Sequence, residues 1–464
     1  MIDAVDLVLQ AVILAATLLA SGHAVIYKRE PRSAALWVIV ILMLPALGPI
    51  LYVLLGINRV QRRAAALRGD RVRHRTTPQV GPAEPDAAFA PLARLVGQVV
   101  GRPLLPGNAV EPLVDGSEAY PAMLAAIDSA RTSVGLATYI FDGDGIGARF
   151  VEALVRAKER GVAVRVLIDD VGVRLSRRSA VRPLRQGGVP VGVFNPPLVP
   201  ARLHAVNLRD HRKILVVDGT LGFTGGMNID QHYWPESYRD MHFRLRGPVV
   251  AHLAEVFADD WQFATGEALR GAPWFAPLHA EGSVLARGIE AGPDEALERL
   301  RWTILGALST ARHAVRVCTP YFVPDGALIS ALGAAALRGV EVDILLPERS
   351  NLPHVHWAAF GQLWQVLERG CRVWTRPGAF DHTKLMVVDG TWTLLGSANW
   401  DARSLRLNFE LNVECYCSEL GGRLEQLVSA RIAESRPVTL AQVNARPLPV
   451  KLRDGVARLF APYL

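Results

Sequence analysis

The chain has 464 residues, of which 50% are hydrophobic, 7% aromatic and 20% charged. That length exceeds one typical core, and the composition excludes a disordered chain, so two domains plus additional segments are expected. A formal charge of +7 with a pI near 9.4 is a modest basic excess, which suits an anionic substrate, an anionic membrane or a nucleic acid.

Residues 1–58 differ in kind from the rest. Leu7 to Tyr27 is an uncharged run and Ser33 to Asn58 a second, longer one. Each is long enough for a bilayer, which takes about 20 apolar residues. A cleaved leader would carry basic residues at its start, whereas Asp3 and Asp6 stand there and a second run follows at once. Pro45, Gly48 and Pro49 interrupt the second run and predict a kink or a partly re-entrant course. The reading is a membrane hairpin of two hydrophobic helices.

Lys28, Arg29 and Arg32 occupy the short connection, while Arg59, Arg62, Arg63, Arg68, Arg71, Arg73 and Arg75 follow the second run. That imbalance predicts a multi-pass protein of the cell membrane with the following domains on the cytoplasmic side. The same arginines suit anionic headgroups. Residues 59–106 read as a basic linker and entry segment, rich in proline and glycine around "TTPQVGPAEPDAAFAP".

Beyond the linker the chain repeats itself. "AYPAMLAAIDSARTSVGLATYIF" predicts a helix and then an apolar strand, and "IGARFVEALVRAKERGVAVRVLID" an amphipathic helix, a glycine stop and a strand. "ERLRWTILGALSTARHAVRVCTPYF" and "LISALGAAALRGVEVDILLP" reproduce that order, with Gly161 and Gly339 in matching places. Alternating helices and strands predict α/β layers. The expected architecture is two α/β domains, 107–275 and 276–464, related by a pseudo-twofold axis.

Each half also contains "DHRKILVVDGTLGFTGGMN" or "DHTKLMVVDGTWTLLGSAN". His211, Lys213, Asp218, Gly225 and Asn228 match His382, Lys384, Asp389, Gly396 and Asn399 at a constant offset of 171. The aliphatic runs predict strands that carry each histidine and lysine on one face, and the DG pairs predict hairpin turns. Two lysines and two asparagines around two histidines suit one phosphate: ammonium groups offset its charge and amides donate to its oxygens. One imidazole, neutral, would attack phosphorus, and the other, protonated, would protect the departing oxygen.

Cys318, Cys371, Cys415 and Cys417 form no CxxC pair, so reduced structural thiols are expected, and the twelve histidines make no obvious metal cluster.

The two segments resemble the His-x-Lys-x4-Asp repeats of the phospholipase D superfamily. The wider chain is similar to bacterial cardiolipin synthases through "LVDGSEAYPAMLAAI", "NLRDHRKILVVDG", "FTGGMNI", "TPYFVPD", "DHTKLMVVDG", "GSANWDARSLRLNFE" and the terminal "ARLFAPYL". The resemblance implies two phospholipase D-like domains behind a transmembrane hairpin. It implies that His211 and His382 are nucleophile and general acid, with His211 favoured as nucleophile. Lys213 and Lys384 would hold the phosphate, with Asn228 and Asn399 completing the cradle. Asp218 and Asp389, although part of the catalytic motif, read as pins of the turns. Ser397 and its counterpart Gly226 are further candidates for the phosphate site. Asp240 and Glu410, 29 and 28 positions after the histidines, match the carboxylates that orient the imidazoles in relatives. Tyr139, Tyr321 and Phe322 stand where they would either border the site or pack in the core.

The implied activity is phosphatidyl transfer between two phosphatidylglycerol molecules through a phosphohistidine, giving cardiolipin and glycerol with no metal or other cofactor. The implied partners are phospholipids and the bilayer, without nucleic acid, and a homo-oligomer is compatible. A phospholipase D hydrolase is the alternative that the motif itself admits. A nuclease-like phosphodiesterase and a non-catalytic membrane scaffold are weaker readings, against which stand the hairpin and the intact duplicate motifs respectively. The C-terminal "KLRDGVARLFAPYL" is expected to pack on the second domain rather than lie on a bilayer.

Overall fold

The computed structural model describes residues 4–28, 30–56, 74–76, 81–195, 208–234, 237–293 and 296–461. Two compact units form, Met1–Leu67 and Arg68–Leu464. Of the arginines predicted to set topology, those from Arg59 to Arg73 lie outside the described residues, as does Arg29.

The first unit holds a 24-residue helix, Ala4–Tyr27, apolar and long enough over Val5–Tyr27 to cross a bilayer. The second hydrophobic run is not one helix. It forms Pro31–Met43, a turn, Leu47–Leu51 and a π-helical turn at Tyr52–Gly56. Thirteen residues rise only about 20 Å, short of a hydrocarbon core. Pro45 lies in the turn, where its carbonyl accepts from Thr17 Oγ1 at 3.0 Å. Ala20, Ala24, Ile41 and Tyr52 bury one another between these helices.

The second unit is built on one 15-stranded sheet. In chain order the first half supplies β1 (Leu105–Val114), β2 (Ser133–Thr138), β3 (Ala163–Asp169), β4 (Val191–Phe194), β5 (Ile214–Val217), β6 (Leu221–Gly225), β7 (Tyr238–Arg239) and β8 (Met241–Arg246). The second half supplies β9 (Val284–Ala291), β10 (Ala314–Cys318), β11 (Phe322–Val323), β12 (Glu341–Pro347), β13 (Arg372–Arg376), β14 (Phe380–Asp381), β15 (Leu385–Val388), β16 (Trp392–Gly396), β17 (Trp400–Asp401), β18 (Glu410–Tyr416) and β19 (Arg436–Val438).

Read outward from the centre, one half runs β1-β8-β6-β5-β2-β3-β4 and the other β9-β18-β16-β15-β10-β12-β13, with β19 beyond. The halves are the same design, joined edge to edge by antiparallel β1 and β9. The predicted helices, Asp115–Ser129 and Ile146–Glu159 in one half and Arg299–Thr310 and Gly326–Leu337 in the other, pack on these strands. Gly161 and Gly339 both adopt positive φ, 87° and 89°, which explains glycine at the two helix exits.

The entry segment holds more structure than a linker. Ala90–Val100 is a helix whose Leu92, Val96 and Val100 pack into the second half's core beside Leu300, Ile304 and Ala307. The chain therefore contributes to the second core before it builds the first.

Asn108 secures the central seam. Its side chain donates to the carbonyls of Leu105 (2.7 Å) and Val284 (3.0 Å) and accepts from Val249 N–H (2.7 Å), filling a register break between β1 and β9. Asn108→Ala leaves three buried backbone groups without a partner. The expected loss is about 2–4 kcal/mol, read as an earlier denaturant midpoint of the solubilised protein. An unchanged midpoint would show that the seam does not depend on this amide.

Candidate active site

The duplicated segments meet where the halves join. His211 and His382 do not lie within the long strands, as the aliphatic pattern predicted. Each sits just before one, at a crossover to the opposite half. His211 N–H donates to Phe409 O at 2.9 Å and His382 N–H to Arg239 O at 2.7 Å. The neighbouring bridges, Asp210 with Phe409 and β14 with β7, are parallel and also cross the seam.

The carboxylates are exchanged relative to the order in the chain. His211 Nδ1 lies 3.0 Å from Glu410 Oε1, and His382 Nδ1 lies 2.9 Å from Asp240 Oδ2. Each imidazole is thus held by a carboxylate from the other repeat, rather than by the one that follows it in sequence. Lys213 and Lys384 are buried beside them, each ammonium donating to the carbonyl of its own histidine.

Two lysines and two imidazoles in one dry pocket weaken each other as bases. Burial, with repulsion from Lys384, takes the Lys213 ammonium down to about 7, against the pull of Glu410. Burial takes Lys384 to about 8. His382 is lowered well below an ordinary histidine by burial and then by Lys384, Lys213 and His211. These couplings place all four groups within electrostatic reach of one another.

The two pairs differ. Glu410 is held below the usual carboxylate range: burial opposes its charge, but His211, Lys213 and the Ser397 hydroxyl outweigh it. Burial pushes Asp240 up to about 8 despite Lys384. His211 is lowered by burial, with Glu410 resisting. The Tyr233 hydroxyl also stands 2.9 Å from His382 Nδ1, a contact to which the sequence gave no pointer.

Gly226 and Ser397, expected at the phosphate, serve the carboxylates instead. Ser397 Oγ donates to Glu410 Oε2 at 2.5 Å and accepts from Leu411 N–H at 3.0 Å. A Cβ on Gly226 would stand 2.4 Å from Asp240 Oδ2, so only glycine leaves room for that carboxylate. Asn228 and Asn399 are buried at the ends of the two segments. Asn228 Oδ1 accepts from Ile140 N–H at 3.3 Å, and Asn399 Nδ2 donates to Ser404 Oγ at 3.2 Å. Asn399 Oδ1 is a buried acceptor with no donor among the described residues.

Asp218 and Asp389 stand elsewhere. They lie past the far ends of β5 and β15, about 20 Å of extended chain from the histidines at roughly 3.3 Å per residue. Asp218 accepts from the amides of Arg131, Thr132 and Ser133, and Asp389 from those of Arg312, His313 and Ala314. Both adopt left-handed φ, 52° and 49°, beside a glycine, which makes the predicted turns. They clamp turn to sheet and touch neither histidine, so they do not belong among groups that meet substrate.

Of the aromatics, Tyr139 stands 5.2 Å from the His211 ring and Tyr321 6.1 Å from His382, whereas Phe322 stacks on Trp400 in the core. Arg212, between the motif histidine and lysine, is wholly buried. It donates to the carbonyls of Glu410 (3.1 Å) and Ala291 (3.2 Å) and pairs with Asp260. At the matching place Thr383 accepts from Arg431 at 2.8 Å. Because Arg212 and Thr383 are unlike, comparing the repeats gave no hint of this shared guanidinium. Among the described residues no group of three or more His, Cys, Asp or Glu has a metal-holding arrangement.

With the geometry in place, comparison with known proteins is decisive. The family described as "Cardiolipin synthase, PLD-like domain" matches residues 123–261 and 304–431, more than half of the chain. The chain belongs to that family. "Phospholipase_D-nuclease N-terminal" matches residues 15–56. The chain is 30% identical over 454 residues to a "Cardiolipin synthase" of Geobacillus sp. (strain WCH70), covering 94% of this chain and 90% of the relative. It is 30% identical over 461 residues to the "Major cardiolipin synthase ClsA" of Bacillus subtilis (strain 168), covering 94% and 95%. Among solved structures, phosphatidylserine synthase of Haemophilus influenzae Rd KW20 matches with a TM-score of 0.62 at 16% identity. That match spans 80% of this chain and all of the other, and it supports the fold alone.

Asp389→Ala tests the clamp. Losing three N–H partners in a left-handed turn should lower stability by about 2–4 kcal/mol. Activity per folded molecule at low temperature should stay within about twofold of wild type. A large fall in that activity with unchanged stability would return Asp389 to the chemistry.

Proposed function

We propose that this family member, a cardiolipin synthase, transfers a phosphatidyl group in two displacements at the paired histidines, with phosphatidylglycerol as both donor and acceptor. The observation that carries the reading is the exchanged His–carboxylate geometry. With Nδ1 of each ring committed to a carboxylate, Nε2 is the nitrogen that remains for phosphorus or for a proton.

His211 is the nucleophile in this reading. Glu410 stays ionised, so its pair lacks the extra proton near neutral pH and the His211 lone pair is available. The Asp240–His382 pair retains its proton up to about 8, and that proton serves the leaving group. In the first step His211 Nε2 attacks phosphorus, the P–O bond to glycerol breaks, and His382 protonates the departing oxygen. In the second, a hydroxyl of another phosphatidylglycerol attacks, His382 takes its proton, and the P–N bond breaks to release cardiolipin. Lys213 and Lys384 offset the charge on the non-bridging oxygens, and bound anion favours their charged forms. Burial of His382 and the lysines limits access of water to the phosphohistidine.

The apolar helix Val5–Tyr27 supports membrane association. We take the following unit to face the cytoplasm from the arginine distribution. The broken second run suits a re-entrant or interfacial course better than a full span.

Purified protein given labelled phosphatidylglycerol in mixed micelles should release glycerol and form cardiolipin. Phosphatidic acid as the main product would assign the site to a hydrolase. His211→Ala and His382→Ala should each lower transfer by about a thousandfold or more. Rapid acid-free quenching should trap labelled phosphatidyl protein with His211 present and none in His211→Ala. Cardiolipin formation by His211→Ala near the wild-type rate would end the assignment.

The proton assignment has its own signature. Protonation of His211 removes the nucleophile as pH falls below the ordinary imidazole range. Loss of the shared proton removes the acid as pH rises through about 8. The rate should therefore be bell-shaped, and Asp240→Asn should displace its alkaline limb more than its acid limb. An alkaline limb that does not move in Asp240→Asn would reject the pairing of roles.

A further inference from the structure

The C-terminal helix Leu448–Leu459 is only half accounted for by the fold. Its inner face packs on helix Pro353–Phe360, with Ala457 against Val355, Ala358 and Ala359. Its sole acidic residue, Asp454, is 1% exposed and turned inward, where it takes Arg446 at 2.5 Å and Arg453 at 2.7 Å. The outer face is a ridge of Leu448, Leu452, Val456, Leu459 and Phe460, each between 55% and 74% exposed. Their spacing of i, i+4, i+8, i+11 and i+12 aligns them along one stripe of a helix turning roughly 100° per residue. On the same geometry Arg453 flanks one side of the ridge, and Lys451 and Arg458 the other. The segment packs on the second half, as expected, and leaves an apolar face uncovered among the described residues.

An apolar ridge bounded by basic residues, with its only carboxylate turned away, matches the interface of an anionic bilayer. Its place favours the same occupant. The cluster that seats Ala457 continues to Tyr321 and Phe380, whose rings stand 6.1 and 5.7 Å from the His382 ring. The helix therefore shares one packed cluster with the aromatic rings beside the proposed proton donor. We infer that Leu448–Phe460 is an interfacial helix that seats the second half on an anionic phospholipid bilayer beside the mouth of the site. The choice of occupant rests on the phospholipid reading above; the ridge does not. A single Leu→Glu change on such a face costs membrane affinity without touching the core.

The test uses full-length protein in phosphatidylcholine nanodiscs and the variant Leu452→Glu/Leu459→Glu. Activity is measured on short-chain phosphatidylglycerol dissolved as monomers and on long-chain phosphatidylglycerol within the disc. The variant should keep the monomer activity within about twofold and lose about tenfold on the bilayer substrate. Equal losses in both arms, or none in the bilayer arm, would overturn the docking. Inactivity of the wild type in both arms would instead strike the proposed function. A polarity-sensitive fluorophore on Leu452→Cys gives a reading independent of turnover. Quenching by brominated acyl chains, stronger with phosphatidylglycerol present, is expected. A water-like emission, or cross-linking of Leu452→Cys between two copies in place of quenching, would overturn the bilayer as occupant.

Discussion

Two imidazole–carboxylate hydrogen bonds, each reaching across the seam between the halves, are the constraint on which the site depends. Glu410, His382 and Asp240 are buried and His211 is partly so, and a buried charge without a partner costs several kcal/mol. The halves must therefore be held at fixed separation and orientation. The central β1–β9 pairing, the Asn108 amide and the parallel bridges at Asp210 and β14 meet that requirement. Neither repeat holds a complete imidazole–carboxylate pair by itself, which is the physical reason for two copies in one sheet.

Near-symmetry of the backbone does not make the two histidines alike. In the first half Gly226 opens space for a short carboxylate, Asp240, which accepts from the Met241 N–H and lies 2.9 Å from His382 Nδ1. In the second, Ser397 and Asn408 donate to Glu410, which His211 first, then Lys213 and Ser397, hold below the usual carboxylate range against burial. The two carboxylates shift in opposite directions, Glu410 down beside His211 and Lys213, and Asp240 up through burial. The proposed two-step transfer uses that difference, because the nucleophile and the proton donor are wanted at the same moment.

Burial also governs the lysines. Burial makes both ammonium groups less basic, Lys213 at about 7 and Lys384 at about 8. In the proposed reaction a bound phosphodiester would favour the charged forms of both lysines. The amphipathic C-terminal helix presents an apolar, basic surface on the half that carries His382.

Much was legible in the sequence because repetition exposed it. The constant offset of 171 between His211-Lys213-Asn228 and His382-Lys384-Asn399 picked out the duplicated polar groups that meet at the seam, and helix–glycine–strand periodicity named most elements of both halves. The DG turns followed from local chemistry, since consecutive left-handed residues favour Asp and Gly. What local chemistry and spacing could not report was partnership across the seam. Asp240 and Glu410 stood at the right distance in the chain to serve their own repeats, yet the parallel crossover of His211 and His382 hands each to the other. Ser397 and Gly226 were expected at the phosphate but stand against Glu410 and Asp240, whereas Asp218 and Asp389 pin the turns that their DG pairs indicated. Arg212 was invisible because its counterpart in the second half is Thr383, with the guanidinium delivered from Arg431. Sequence determined which side chains exist twice and what each half folds into, because those depend on neighbours within a few turns or strands. Tertiary structure alone decided which acid meets which base, because that contact forms only when two distant halves share one sheet and exclude water between them.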